Sequence, residues 1–320
     1  MKKIFLYVIT LLVFSVNLYY SLFYRLDHKN ILDKNSSEYQ IFTQIRIPRT
    51  MATYFVGAGV SVVGCVLQSV FLNPLCEGYT LGISSSAALG VIVGSLLGIP
   101  LSRFFNSFLG VIFSILSIYI LVVSFKRTID ISFVLAGIVL NFLFSSIIVL
   151  LTIFFDPYKL HYILLWLLGG FSSLDRFSVY VSSVVILVCI VVVLFFSPQL
   201  DILVLGKEKA LSLGVKEQKF KNILVFIVII ISALCVSLAG VISFVGIFIP
   251  NFVKEFTGLK HKSWILSSTI IGGIFVSLCD NLAKNLFYPV EVPISVFTGL
   301  VGSIFFVVYL IRRKSLLWKY

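Results

Sequence analysis

The most informative property of this sequence is its low charge. Asp, Glu, Lys and Arg make up only 12% of the 320 residues, whereas soluble domains carry about 25%. Apolar side chains make up 59%, and the mean hydropathy is +1.11. These values exclude a soluble globular protein, and the sequence predicts an integral membrane protein.

The chain also lacks the common catalytic and nucleotide-binding motifs. It has no GxxxxGK[ST] loop to hold phosphates and no HExxH pair to hold zinc. Its three histidines are not spaced as a metal pair, and its five cysteines lie in uncharged runs, where we interpret them as small packing residues. We therefore expect no enzymatic activity, bound metal or cofactor in this chain, and any ATP and Mg must be used by a partner. No basic recognition module supports binding to nucleic acid.

Long uncharged runs cover most of the chain. Since about 20 apolar residues span a bilayer as a helix, the runs allow eight or nine full spans plus shorter pieces. The run VIFSILSIYILVVSF does not alternate apolar and polar residues as a membrane β-barrel strand does. The sequence therefore predicts an all-α integral membrane fold, with residues 1–320 forming a single polytopic domain. The first run follows Met1-Lys2-Lys3 and ends without a small-residue cleavage pattern, which favours a retained first helix.

One uncharged run is too long for a single straight helix. Residues Asn222 to Val253 number 32, which corresponds to roughly 48 Å of helix against a hydrocarbon core of about 30 Å. Gly240, Gly246 and Pro250 supply points at which a helix can break. We predict one helix from about 222 to 238, a turn near the bilayer, and a second helix from about 245 to 257.

Lys and Arg are unevenly distributed among the predicted loops. With ten crossings and both termini in the cytoplasm, 16 of the 25 basic residues fall on the cytoplasmic side, as the positive-inside rule expects. The longest cytoplasmic insertion, residues 198–221, interleaves leucines with charges. This pattern is typical either of a short amphipathic helix held against another protein or of a solvated connector.

Ionisable residues within the spans are few. An ion-coupled secondary carrier, the alternative from another class, would need titratable groups at mid-membrane. The spacing of Asp280 and Lys284 favours a structural salt bridge over a proton relay. Small residues in GISSSAALG, and in the run from Gly57 to Gly64, are interpreted as helix-packing residues rather than as the setting of a nucleophile. Arg46 and Arg49, at the predicted outer end of a span, are consistent with interfacial snorkelling or with docking of an acidic partner.

Several segments, in this order, carry a family resemblance. They are RIPRTMATYFVGAGVSVVGCVLQSVFLNPLCEGYTLGISSSAALG, LAGIVLN, LLWLLGGFSSLD, ALSLGV, GVISFVGIFIPN and EVPISVFTGLVGSIFF, which together extend from residue 46 towards the C-terminus. The chain resembles the permease subunits of ABC importers for iron-siderophores, haem and vitamin B12, the FecCD family. The resemblance implies the type II ABC importer permease fold, with ten transmembrane helices in the bacterial cytoplasmic membrane.

The resemblance also implies partners and residue roles. A second permease, identical or different, would complete the translocation path. Two ATPase subunits would bind on the cytoplasmic side, and an extracytoplasmic substrate-binding protein would deliver the ligand. The binding protein would dock on Arg46, Arg49 and Lys284, and the ATPase would couple through Ala210, Leu211, Ser212, Leu213, Gly214 and Val215. The path candidates, chosen because a bulky ligand needs small or polar lining, are Gly82, Ser84, Ser85, Asn141 and Gly299.

The chain departs from the family pattern at two places. Many members have a PH pair followed by an Arg after the broken span, where this chain has Pro250-Asn251 and Lys254. Many members also read GAPFF near the C-terminus, where this chain reads GSIFF from Gly302 to Phe306. These differences bear on the substrate subgroup. The expected cargo is a ferric siderophore, with haem or vitamin B12 as the alternative.

Overall fold

The computed structural model describes residues 2–24, 26, 31–97, 103–124, 131–172, 174–214, 216–258 and 260–317. Within these ranges the chain consists of helices and connecting segments, with no β-strand. The helices are α1 (Lys2–Phe23), α2 (Ser37–Ile41), a π-helical turn (Phe42–Arg46), α3 (Ile47–Phe71), α4 (Ile83–Leu96), α5 (Arg103–Ser124), α6 (Ile131–Thr152), α7 (Pro157–Leu167), α8 (Arg176–Phe195), α9 (Ser197–Leu203), α10 (Lys207–Ser212), α11 (Glu217–Ala239), α12 (Val245–Thr257), α13 (His261–Asn285) and α14 (Ile294–Leu317).

Several of these helices have the length and composition of membrane spans. Among the described residues, five segments are long and apolar enough to cross a bilayer, and three shorter apolar helices accompany them. The five segments are Ser37–Phe71, Val134–Thr152, Arg176–Phe195, Glu217–Ala239 and His261–Asn285. The predicted helical membrane fold is confirmed, while the count of ten crossings stays a prediction.

The predicted break in the longest apolar run is confirmed. Helix α11 ends at Ala239 and α12 begins at Val245. Gly240 adopts a φ of 69°, a left-handed conformation that costs glycine little. A Cβ at this position would also overlap the carbonyl oxygen of Trp166. Glycine is therefore required here for two reasons, the backbone conformation and the close approach of the last turn of α7.

Helices α3 and α13 form the central pair of the fold, and they run antiparallel. Most residues of α3 are buried, and its glycines bring other helices into backbone contact. A Cβ on Gly57 would overlap the carbonyl of Gly272 in α13, and a Cβ on Gly64 would overlap the carbonyl of Gly246 in α12. The prediction that the small residues after RIPRT pack helices is confirmed.

Helix α1 is attached to this pair by buried polar side chains. Asn281 of α13 donates from Nδ2 to Asn17 Oδ1 at 2.6 Å and to Ser21 Oγ at 2.8 Å. Asn17 in turn donates to the hydroxyl of Tyr54 in α3 at 2.8 Å. In an apolar environment such hydrogen bonds specify which helix faces are in contact. The first helix is therefore an integral part of the packed domain.

Candidate functional sites

A cluster of charged side chains joins the start of α3 to the end of α13 and the loop after it. Arg49 donates to Asp280 through two nitrogens, with Nη2 to Oδ1 at 2.8 Å and Nε to Oδ2 at 2.9 Å. It also donates to Glu291, at 3.1 and 3.2 Å. The side chains of Arg49 and Asp280 are 12% and 5% exposed, whereas Glu291 is 45% exposed. We call Arg46, Arg49, Asp280, Lys284 and Glu291 the arginine cluster.

The partner of Asp280 differs from the expected one. Spacing along the helix predicted a salt bridge with Lys284, but Asp280 pairs with Arg49, 231 residues earlier in the chain. The planar guanidinium meets both carboxylate oxygens, which the single ammonium of Lys284 cannot do. Lys284 is half-buried beside this pair, without a hydrogen bond or ion pair in the described part of the chain.

The three predicted docking residues therefore lie together but differ in their hydrogen-bond and ion-pair partners. Arg49 is held by two carboxylates, and Arg46 donates to the backbone carbonyls of Ser21 at 3.4 Å and Tyr24 at 3.1 Å. With three cations and two carboxylates, the cluster keeps one excess positive charge. Arg46 and Lys284 are the members whose charge has no carboxylate within ion-pair distance in the described chain, so they are better placed than Arg49 to meet an acidic partner. The docking role itself stays a prediction.

The predicted ATPase-coupling residues lie on α10 and the turn that follows it. Ala210 is fully buried, whereas Leu211 and Leu213 are 69% and 59% exposed, and Ser212 and Gly214 are exposed as well. Val215 lies outside the described residues. Helix α10 packs on α9, and α9 packs on α3 and α13. Helix α10 and the turn after it, which we call the coupling segment, thus expose leucines and contact α9, which in turn packs on the central helix pair.

The candidate path residues divide into two groups. Gly82, Ser85 and Asn141 are buried inside the chain, and a Cβ on Gly82 would come within 3.1 Å of the carbonyl of Gly137 in α6. Gly82 thus lies against α6 beside Asn141, and the hydroxyl of Ser85 donates to the carbonyl of Gly82 at 3.1 Å. Ser84 and Gly299 are partly exposed, and the space beside Gly299 is open. The path role of all five residues stays a prediction.

Sequence reasoning missed a buried carboxylate, that of Glu77. It follows α3 in the NPLCEG turn, and it accepts hydrogen bonds from the backbone N–H groups of Phe244, Gly246 and Ile247 at the start of α12. A carboxylate at this place satisfies amides that the helix itself leaves unpaired. Beside this carboxylate is a cavity of about 20 Å³, which is lined by Glu77, Ser84 and Ser232 among others. This volume holds about one water molecule. The signal that could have revealed Glu77 is an acidic residue inside an otherwise uncharged run.

A second missed feature is a Ser, His and Asp arrangement. His261, the first residue of α13, has Nδ1 at 2.6 Å from Asp201 Oδ1 of α9 and Nε2 at 2.8 Å from Ser69 Oγ of α3. These are the residue types of a hydrolytic triad. However, Ser69 is only 3% exposed, so no substrate can reach its hydroxyl. Asp201 and His261 are 60 positions apart and Ser69 and His261 are 192 apart, and no local sequence motif predicts the arrangement.

Taken together, these features define a polytopic helical membrane protein. Apolar helices form the body, polar clusters lie at the two ends of the central pair, and an exposed leucine-bearing turn projects from one end.

The comparisons with known proteins identify the particular family. Residues 3–313 match the model of the FecCD transport family, and the chain belongs to this family. It is thus a permease subunit of an ABC importer. The Haemophilus influenzae molybdate import system permease protein MolB is 30% identical over 89% of this chain and 86% of its own length. The Yersinia pestis hemin transport system permease protein HmuU is 31% identical over 88% and 86%. The Bacillus subtilis iron(3+)-hydroxamate import system permease protein FhuG is 30% identical over 86% and 84%.

The fold also matches a solved transporter. A metal-chelate type ABC transporter in an inward-facing conformation has a TM-score of 0.86 and 27% identity, covering 96% of this chain and 99% of that one. The predicted family and fold class are therefore confirmed.

Proposed function

We propose that this chain is the membrane permease of an ATP-driven importer that carries ferric siderophores across the bacterial cytoplasmic membrane. The observation that carries the proposal is the match to the FecCD family over residues 3–313. An iron-hydroxamate permease among the relatives and the metal-chelate type transporter among the solved structures support this class of cargo.

The partners follow from the same proposal. Two ATPase subunits bind on the cytoplasmic side, one of them at the end of α10 and the turn after it, since Leu211 and Leu213 present apolar surface beside basic residues. A second permease, either a copy of this chain or a different one, completes the path. A substrate-binding protein docks at the opposite end, over the arginine cluster. In this orientation both termini are cytoplasmic, as the distribution of Lys and Arg favours.

The docking role is tested at Arg46 and Lys284, whose charges are not paired with a carboxylate in the described chain. Arg49→Glu would place three carboxylates together and disturb the packing of α3 on α13, so its effect on uptake would be ambiguous. Arg46→Glu and Lys284→Glu change the charge of the cluster without removing that ion pair. We expect each to weaken binding of the substrate-binding protein in nanodiscs, and an acidic-to-basic change on the binding protein to restore it. Unchanged binding in both variants would remove the docking role.

The cargo is tested by uptake into cells. Cells with and without this chain are grown under iron limitation and supplied with radiolabelled iron on a panel of siderophores. Haemin, cobalamin and molybdate form the comparison set, because relatives are named for these cargoes. Loss of uptake for one siderophore class supports the proposal. Loss confined to one of the other compounds assigns that compound instead.

The energy source separates an ABC importer from an ion-coupled carrier. Uptake should stop when ATP is depleted with the membrane potential held. A protonophore should leave uptake intact while ATP is maintained. The opposite pattern would contradict the proposal.

A further inference from the structure

The hydrogen-bonded group around His261 lies where three helices meet. Asp201 Oδ1 accepts both the backbone N–H of His261, at 3.0 Å, and its ring Nδ1–H, at 2.6 Å. One carboxylate oxygen therefore caps the start of α13 and orients the imidazole. The other ring nitrogen lies 2.8 Å from the hydroxyl of Ser69, in the last turn of α3. His261 is thus tied to α9 on one side and to α3 on the other.

The same histidine contacts a fourth helix through Trp264. The two rings meet edge to face, with centroids 5.5 Å apart. Trp264 is 1% exposed and donates from Nε1 to the carbonyl of Pro250 in α12 at 2.7 Å. The ammonium of Lys254, also in α12, lies 4.7 Å from the centre of the Trp264 ring. Displacement of His261 would therefore disturb packing against α12 as well as the contacts of α3 and α13.

The position of Asp201 connects this group to the coupling segment. Asp201 belongs to α9, and α10, which carries the exposed Leu211, packs on α9. Ala210 of α10 is fully buried. One route from the exposed leucines to the membrane helices therefore runs through α9, and α10 also contacts α11 directly. The described contacts between α9 and α13 include these two hydrogen bonds to Asp201, in which a charged carboxylate holds His261 in a fixed direction.

We infer that Asp201, His261 and Ser69 form a hydrogen-bonded relay that transmits movement of α9 to α3 and α13 during ATP-driven transport. The inference rests on the proposed function and adds positioning residues to it. The relay residues contact neither ATP nor cargo. Their role is to make α9 and the central helix pair move together, so that work done at the ATPase interface opens or closes the path. Without the relay, ATP is hydrolysed but less cargo moves for each ATP.

The test uses the complete complex of this permease with its partner subunits in nanodiscs or proteoliposomes. His261→Gln and Asp201→Asn approximately keep side-chain size. The first removes the imidazole that contacts both Asp201 and Ser69, and the second leaves only a neutral amide oxygen to accept from Nδ1. Because a hydrogen bond to a charged group contributes enough to change an equilibrium by about tenfold or more, we expect cargo moved per ATP to fall by about tenfold. Insertion and ATPase binding should remain as in the wild type. His161→Gln, at an exposed position of α7, is the matched control and should leave the ratio unchanged.

The variants also distinguish a relay from a merely structural contact. If the three residues act as one unit, the double variant Asp201→Asn, His261→Gln should have the same ratio of uptake to ATP hydrolysis as either single variant. A ratio that stays within twofold of the wild type in both single variants would overturn the inference. If His261→Gln does not insert, Ser69→Ala, which removes one hydroxyl, decides: an unchanged ratio overturns the inference, and a lowered one supports it.

Failure of the proposed function gives a different result. In that case the wild-type complex itself shows no ATP-dependent uptake of any cargo in the panel.

Discussion

The arginine cluster allows one prediction to be worked out in detail. Asp280→Asn keeps the size of the side chain but leaves the guanidinium of Arg49 in a nearly buried place without its main partner. Arg49 and Asp280 are 12% and 5% exposed, and removal of one member of a buried ion pair costs about 3–5 kcal/mol. Glu291 is 45% exposed, and an exposed pair contributes about 0–1 kcal/mol. Glu291→Gln is therefore the matched control at the same guanidinium.

The measurement is reversible unfolding from mixed micelles by SDS, followed by intrinsic tryptophan fluorescence. We expect the free energy of unfolding to fall by several kcal/mol in Asp280→Asn and by less than about 1 kcal/mol in Glu291→Gln. The double variant Arg49→Ala, Asp280→Ala should be less unstable than the sum of its single variants, because it leaves no buried charge. Effects that add within about 0.5 kcal/mol, or equal losses in the Asn and Gln variants, would refute the reasoning.

Three further predictions concern packing and coupling. Gly64→Ala should lower stability by about 1–3 kcal/mol through overpacking against α12. Gly170 has open space where a Cβ would lie, so Gly170→Ala should leave stability unchanged. Thermal unfolding in detergent compares the two variants. Asn281→Leu removes two hydrogen bonds to α1, each of which contributes about 0.6 kcal/mol in a membrane, and should make α1 more accessible to protease. Leu213→Glu should abolish retention of the ATPase subunit on the immobilised permease. Leu205 is 54% exposed and lies just before α10, and Leu205→Glu should leave retention unchanged. Equal retention in the two variants would argue against the coupling surface.

Local pattern was enough to predict much of the fold. The length of the run from 222 to 253 excluded one straight helix, and Gly240 marked where the chain breaks. The structure ends α11 at Ala239 and begins α12 at Val245, close to the predicted bounds. Charge scarcity and run length identified the membrane class for the same reason: both depend on near neighbours in the sequence.

The parts that could not be predicted depend on long-range contacts. Asp280 has a plausible partner four residues away, yet its observed partner, Arg49, lies 231 residues away. Glu77 lies in a turn whose sequence reveals nothing of the α12 amides that surround it. In each case the tertiary neighbour, rather than the residue type, decides the role.

The placement of the polar contacts bears on how the transporter can move. Helices α3 and α13 are joined near one end by Arg49 and Asp280 and at the other by Ser69 and His261. Between these ends their backbones approach so closely that a Cβ on Gly57 cannot be accommodated. Sliding of one helix along the other would break both polar contacts and disrupt this close packing, so the pair should move as a rigid unit. The conformational change of the transport cycle must then be taken up between this pair and the helices around it rather than within the pair.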